Sequence, residues 1–463
     1  MFEGLEANIQ NYKDLKYIID YRIEAEYFNK RFLIIDNVFE KLKFVTFFEI
    51  ADYENGRAYS SDEFFEGSND GVKVAKIGDV TQKRKNENWV SISNTEFKNK
   101  KGRYLVNGDI LMTLTGDPPD VGKVNLFFEN DLKSTWNQRV ARIFLKKNQN
   151  IILNQNTLFI ILSTHYCREQ LERYAKGIRQ RNLGTECIEK LKLPILHNSL
   201  QLIINKLVEK SFNILSKSQI LYYQAEKLLL ETIGFEHFNP GNKGTNVKYF
   251  RETFFTTERL DAEYYQLKYE EYLKLIREYA GGYKPLENIC NIKDCNFIPK
   301  KEEKYKYIEL SDINKSGNII GCTVAQGNEL PSRARRKVNV NDVVISSIEG
   351  SLESCALVTK EYDNAICSTG FYVINSHTIN SETLLVLFKS EVMQNLLKQA
   401  CSGTILTAIN KKEFKQLAVP LINFDIQKEI AGLIQNSFKL RKECEDLLEE
   451  AKLMVENEID GSK

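Results

Sequence analysis

The sequence has no Cys-x-x-Cys pair, no histidine with a second ligand at metal spacing, and no apolar run long enough to cross a membrane. Its nine cysteines are odd in number and scattered, which argues against a disulfide or zinc framework and fits small core residues kept reduced. The four histidines are His165, His197, His237 and His377, and His165-x-Cys167 falls in an expected helix, where packing is the plain reading. No metal site is expected. There is no Gly-x-x-x-x-Gly-Lys-Ser/Thr loop and no Gly-x-Gly-x-x-Gly turn, so neither a nucleoside triphosphate nor a dinucleotide has a seat. The opening Met1-Phe2-Glu3-Gly4 is acidic and no apolar stretch follows, so no export signal is expected, and the expected location is the cytoplasm.

What is present is ordinary for a globular chain: 42% apolar and 27% charged residues over 463 positions, enough for two or three domains each with its own core. A net charge of +1 argues against a uniformly basic surface, but the signs are segregated. Basic residues gather at Lys83-Arg84-Lys85 and in 98–103, 168–181 and 333–337; acidic residues gather at Glu443, Glu445, Asp446, Glu449 and Glu450. A charge run by itself reads as a solvated face. The recurrence of cations at Lys100/Arg333 and Arg103/Arg336 is what points further.

That recurrence belongs to a duplication. Arg22-Ile23-Glu24-Ala25-Glu26-Tyr27-Phe28 returns as Arg259-Leu260-Asp261-Ala262-Glu263-Tyr264-Tyr265. Residues 74–109 align without a gap on 307–342, sharing Asp79/Asp312, Arg103/Arg336 and Asp109/Asp342. Residues 177–233 align on 403–459, sharing Pro194/Pro420, Gln201/Gln427, Ile204/Ile430 and Ser211/Ser437. Two copies of one fold present two equivalent surfaces, which suits a pseudo-symmetric target, and duplex DNA is the commonest such target.

Each copy predicts the same order of parts: strands at 72–77, 109–114 and 141–145 in the first and 305–310, 342–347 and 370–374 in the second, then helices over 157–175 and 381–400. Each copy then closes on a long helix with a heptad stripe. The seam is expected at Leu200, Ile204, Leu207, Ile214, Leu221 and Leu228, and at Ile426, Ile430, Leu433, Leu440, Leu447 and Met454, with small residues at Ser211/Ser437 and Ser218/Cys444. The simplest pairing joins both helices antiparallel within one chain. The expected fold is α+β: two similar mixed α/β recognition domains, 1–196 and 239–422, separated by spacer helices in 197–238 and 423–463 that form an antiparallel coiled coil. Asp117-Pro118-Pro119-Asp120 shares its first three positions with the segment that amino-methyltransferases use to hold a flipped base, but the stacking aromatic is replaced by Asp120, so it reads as a turn.

With these segments in view, the chain resembles the specificity subunit of type I restriction-modification systems. The residues that carry the likeness are Arg259 to Tyr265; Asn107-Gly108-Asp109-Ile110-Leu111 with Gly116 and Gly122-Lys123-Val124; Ser402-Gly403-Thr404 running to Ile409-Asn410-Lys411-Lys412; Leu417-Ala418-Val419-Pro420-Leu421; and the Gln427 helix. The first copy departs at Gly177-Ile178-Arg179-Gln180-Arg181-Asn182-Leu183, which is more basic than the family's usual Ser-Gly-Thr stretch, and the second at Glu349-Gly350-Ser351. The resemblance implies a non-catalytic subunit whose two domains each read half of a split DNA site, and whose helices serve as a ruler and as a dock for two methyltransferase subunits. It implies no cofactor on this chain, with S-adenosylmethionine and ATP on partner subunits, including restriction or translocase subunits. The competing readings are an enzyme with an unseen site, a coiled-coil scaffold, and a specificity subunit of a related multi-subunit modification system of another type.

Cations and amides able to reach a duplex give the candidate DNA contacts. They are Lys83, Arg84, Lys100, Arg103, Arg179, Gln180 and Arg181 in the first copy, and Arg333, Arg335, Arg336, Lys411 and Lys412 in the second. Arg103 and Arg336 are expected to anchor phosphates, and Arg179-Gln180-Arg181 to read bases for the first copy alone.

Overall fold

The computed structural model describes residues 24–65, 71–81, 89–117, 120–128, 132–147, 153–177, 180–238, 240, 245–314, 316–403 and 407–461. The chain forms two compact units, Met1–Asn213 with Glu443–Lys463, and Ile214–Lys442.

In the first unit a four-stranded antiparallel sheet runs in the order Ala51–Asn55, Val140–Leu145, Ile110–Thr113, Val124–Leu126. The second unit repeats it as Cys290–Ile292, Phe371–Ser376, Val343–Ser346, Cys355–Leu357. The strands Ile110–Thr113 and Val343–Ser346 are buried at every position, which their continuous apolar and β-branched sequence requires. Beside this sheet in the first unit, Val72–Ala75 pairs parallel with Ser134–Trp136 and antiparallel with Val90–Ile92. In the second, Lys304–Ile308 pairs parallel with Ile366–Ser368 and antiparallel with Thr323–Gln326, and Ala334–Lys337 adds an edge.

Two expected elements are divided. The strand expected at 72–77 ends at Ala75, because the Asp79 carboxylate accepts the Lys76 backbone N–H at 2.8 Å and starts the short helix Ile77–Thr81. Asp312 does the same to the Glu309 N–H at 2.7 Å. The helix expected over 157–175 is two, Gln155–Ser163 and His165–Tyr174; its repeat over 381–400 is Ser381–Lys389 and Glu391–Gln399. Thr164 and Ser390 sit at the breaks in extended backbone, and their hydroxyls accept the N–H of Cys167 and Met393. An N-cap hydroxyl of this kind outcompetes helix continuation.

The long helices are Asn198–Thr232 and Phe424–Gly461, 35 and 38 residues. Within the first unit Ile204 and Val208 share a core with Ala451, Val455 and Ile459. The contact His197–Glu458 (3.7 Å) and the ion pair Lys210–Glu443 (3.5 Å) run in opposite senses along the chain, so these segments are antiparallel. Within the second unit Ala225, Leu229 and Ile233 share a core with Ile430 and Ile434. The buried stripes match at seven pairs of positions: Ile204/Ile430, Val208/Ile434, Ser211/Ser437, Ser218/Cys444, Ala225/Ala451, Leu229/Val455, Ile233/Ile459.

The stripe differs from the expected seam in one respect. Ile204, Ile214, Ile430 and Leu447 are buried, while Leu200, Leu207, Leu221, Leu228, Ile426, Leu433, Leu440 and Met454 are half-buried. Val208, Leu229, Ile434 and Val455 take the deep places one position after Leu207, Leu228, Leu433 and Met454. Each helix contributes to the core of both units, packing there on globular residues as well as on the other helix, and the wider apolar face this needs draws in the neighbouring position.

Candidate nucleic-acid interface

A tight turn precedes the central strand in both units. Gly108 (φ +85°) and Asn341 (φ +70°) occupy it in left-handed backbone, which glycine and asparagine tolerate best. The next residue is a buried carboxylate. Asp109 accepts the Val106 N–H at 2.7 Å and Arg142 Nε at 2.6 Å. Asp342 accepts the Asn339 N–H at 2.8 Å, Lys293 Nζ at 2.6 Å and Asn375 Nδ2 at 2.8 Å. Burial pushes the Asp109 carboxyl up, and Arg142 pulls it back. Asn107-Gly108-Asp109 thus fixes a turn.

The repeated Ala-Glu-Tyr segment is a clasp. The carbonyl of Tyr27 accepts Arg173 Nε at 2.9 Å, and that of Tyr264 accepts Gln399 Nε2 at 3.0 Å. The Arg173 guanidinium lies 4.3 Å from the Tyr27 ring and is buried against Asp36, so this member of the 168–181 basic cluster is structural. Arg259 donates to the carbonyls of Gln399 (3.2 Å) and Cys401 (2.7 Å) and pairs with Asp261 at 2.6 Å.

Of the candidate contacts, Lys83, Arg84 and Arg179 lie outside the described residues. Lys100 pairs with Glu63 at 2.7 Å and donates to the Ala58 carbonyl at 2.8 Å, holding the Glu63 carboxyl below its usual range. Arg103 is exposed and pairs with Glu54, which also lies 3.5 Å from Arg142. Gln180 is exposed; Arg181 pairs with Glu26 at 2.8 Å and donates to the Glu172 carbonyl. In the second unit Arg333 pairs with Glu309 at 2.8 Å, Arg335 donates to the Ser332 carbonyl at 2.9 Å, and Arg336 donates to the Asp294 carbonyl. Lys411 pairs with the Asp294 carboxylate, lowering its pKa, and Lys412 lies 3.6 Å from Glu258. Arg336 and Lys411 therefore converge on one residue. Pairs with an exposed cation, such as Arg103–Glu54 and Arg333–Glu309, contribute little, so a phosphate can replace the carboxylate there at small cost.

One feature escaped the sequence reading because its cations, Lys76 and Arg139, lie far apart in the chain rather than in a cluster. A cleft of about 510 Å³ in the first unit is lined by Tyr59, Phe64, Lys76 and the turn Asn137, Gln138 and Arg139. The Lys76 ammonium lies 3.6 Å from the Phe64 ring centroid.

The chain thus consists of two duplicated α/β units, each with cations and a buried Asp turn, joined in sequence by matched helices. The type I restriction modification DNA specificity domain family matches residues 40–221 and 282–450, and the chain belongs to that family. It is 26% identical over 153 residues to the type I restriction enzyme MjaVIII specificity subunit of Methanocaldococcus jannaschii, an alignment covering 32% of this chain and 34% of that protein. The chain thus spans about a third of the length of that curated relative. It is also similar to the crystal structure of a type I restriction-modification S subunit from M. genitalium, at 13% identity, TM-score 0.38, covering 89% of this chain and 95% of that one. A crystal structure of the HsdS subunit from Thermoanaerobacter tengcongensis is similar at 12% identity and TM-score 0.27, covering 91% of this chain and 96% of that one. No helix among the described residues is long and apolar enough to cross a membrane.

Proposed function

We propose that this chain is the DNA-reading subunit of a type I restriction-modification complex. Each unit reads one half of a bipartite duplex site, and the long helices dock two methyltransferase subunits. The observation that supports this most is the double family match, one match on each copy of the same sheet order. Two equivalent readers suit two half-sites about one helical turn apart, roughly 10 base pairs centre to centre.

On this reading the chain itself is not catalytic. Methyl transfer from S-adenosylmethionine and ATP-driven restriction belong to partner subunits. The cations paired with Glu54, Glu63, Glu309 and Asp294 exchange those carboxylates for phosphates, which fixes register without carrying sequence information. The test is a domain exchange. Replacing residues 51–173 with the equivalent region of another such subunit, in the reconstituted complex, should change one half of the methylated site and leave the other intact. A change in both halves, or no sequence-specific methylation by the wild-type complex, overturns the reading.

A further inference from the structure

The cleft in the first unit sits where the chain passes from one sheet to the other. Ser134–Trp136 belongs to the sheet of Val72–Ala75, and Val140–Leu145 to the four-stranded sheet. The three residues between them, Asn137, Gln138 and Arg139, are held by backbone bonds from several sides. The Asn137 N–H donates to the Ala75 carbonyl at 3.1 Å, and the Gln138 N–H to the Arg57 carbonyl at 3.0 Å. The Arg139 carbonyl accepts the Leu114 N–H at 2.9 Å, and the Asn137 side chain accepts the Arg139 N–H at 3.0 Å.

The side chains of Gln138 and Arg139 are in the opposite condition. Both residues are exposed, and neither side chain has a hydrogen-bond or ion-pair partner among the described residues. This separates Arg139 from Lys100, Arg103 and Arg181, each of which is occupied by a carboxylate. A fixed backbone carrying an unengaged amide and an unengaged guanidinium is what readout of base edges requires. The register is set before binding, and no internal ion pair has to be broken. Glutamine matches the N6/N7 edge of adenine and arginine the O6/N7 edge of guanine. The aromatic walls at Tyr59 and Phe64 supply apolar contact, and Lys76 places a positive charge in the same cleft.

The second unit carries different chemistry at this place. Val74 aligns with Tyr307; Val74 pairs with Thr135, and Tyr307 with Ile366. Counting onward from those partners, Asn137-Gln138-Arg139 corresponds to Ser368-Thr369-Gly370, which has no charge and no long side chain. Two readers that share a scaffold and differ at this turn recognise different bases.

We infer that the Asn137–Arg139 turn and its cleft form a base-reading site of the first unit, with Gln138 and Arg139 addressing purine edges in the major groove. This rests on the DNA-reading assignment above. The experiment uses the full-length chain assembled with the modification subunits of its own operon, with methylated sites mapped across a genome and binding measured on a randomised duplex library. In Gln138→Ala and in Arg139→Ala, one base position of one half-site should relax. Specific over non-specific affinity should fall about tenfold or more, with the other half-site unchanged. Gln138→Glu, nearly isosteric at an exposed position, should alter preference at that same position. An unchanged site in all three variants overturns the inference while the DNA-reading assignment stands. Uniform weakening on every sequence with a shallower salt slope also overturns it, because that marks phosphate contact. A wild-type complex with no sequence preference overturns the assignment itself.

Discussion

Ser218 and Ser437 meet in the buried helix pairing of the second unit with their hydroxyl oxygens 3.0 Å apart, and each lies within hydrogen-bond distance of the other's backbone carbonyl, at 2.9 and 2.8 Å. Only a small side chain lets two helix backbones come this close. Ser218→Ala and Ser437→Ala should each cost about 1 kcal/mol in urea unfolding, and the double variant should cost less than the sum, because the two hydroxyls also touch each other and are coupled. Ser218→Leu should cost more, about 1–3 kcal/mol, by forcing the helices apart.

The same contact tests chain topology. Ser218→Cys with Ser437→Cys should oxidise to a disulfide within one chain, read as a monomer of altered mobility on a non-reducing gel. Covalent dimers in place of that product would show that the antiparallel pairing is not intramolecular.

Arg142 and Asp109 give a prediction with a pH sign. Burial is the largest influence on the Asp109 carboxyl and raises its pKa, so the folded chain binds this proton more tightly than the unfolded chain does. The group therefore disfavours folding most at neutral pH, and that penalty fades as pH falls through the raised value. Arg142→Ala removes the countervailing charge and raises the value further. The variant should lose about 3–5 kcal/mol at neutral pH, and the loss should shrink on acidification. A deficit that stays constant with pH would show that packing of the Arg142 stem, not its charge, is what was lost.

Arg103 and Arg336, seven residues before the first residues of the central strands Ile110–Thr113 and Val343–Ser346, are the proposed phosphate anchors. Arg103→Ala with Arg336→Ala should weaken binding of the assembled complex to all duplexes alike and flatten the salt dependence by about one unit per cation. Wild-type affinity and slope would remove the assignment.

The cysteines should fall into two classes toward a thiol reagent. Cys295 is exposed, whereas Cys167 and Cys355 are buried, which pushes their thiols up to about 12. Cys295 should react first in the native protein, while Cys167 and Cys355 should wait for unfolding. Prompt labelling of Cys167 would contradict its place in the first core.

The sequence alone determined the duplication, the order of elements and the two long helices, because periodicity and repeated residues are local signals. The helix phase set by Ile204, Ser211, Ser218 and Ala225 was legible for the same reason. Which neighbour goes deepest was not. Leu207 and Val208 are equally apolar, and the choice of Val208 follows from a globe packed against the helix, which no helical period encodes. The breaks at Thr164 and Ser390 were hidden likewise, since a hydroxyl inside an apolar run becomes a cap only when the chain must turn. At the candidate interface, sequence found the clustered cations, and tertiary structure assigned their partners. It turned Arg173 inward beneath Tyr27 and brought Glu54 to Arg103 across 49 residues. It also left Gln138 and Arg139 on a fixed turn with their side chains unengaged among the described residues. A charge's role depends on what folding places beside it, and that neighbour is almost never its neighbour in the chain.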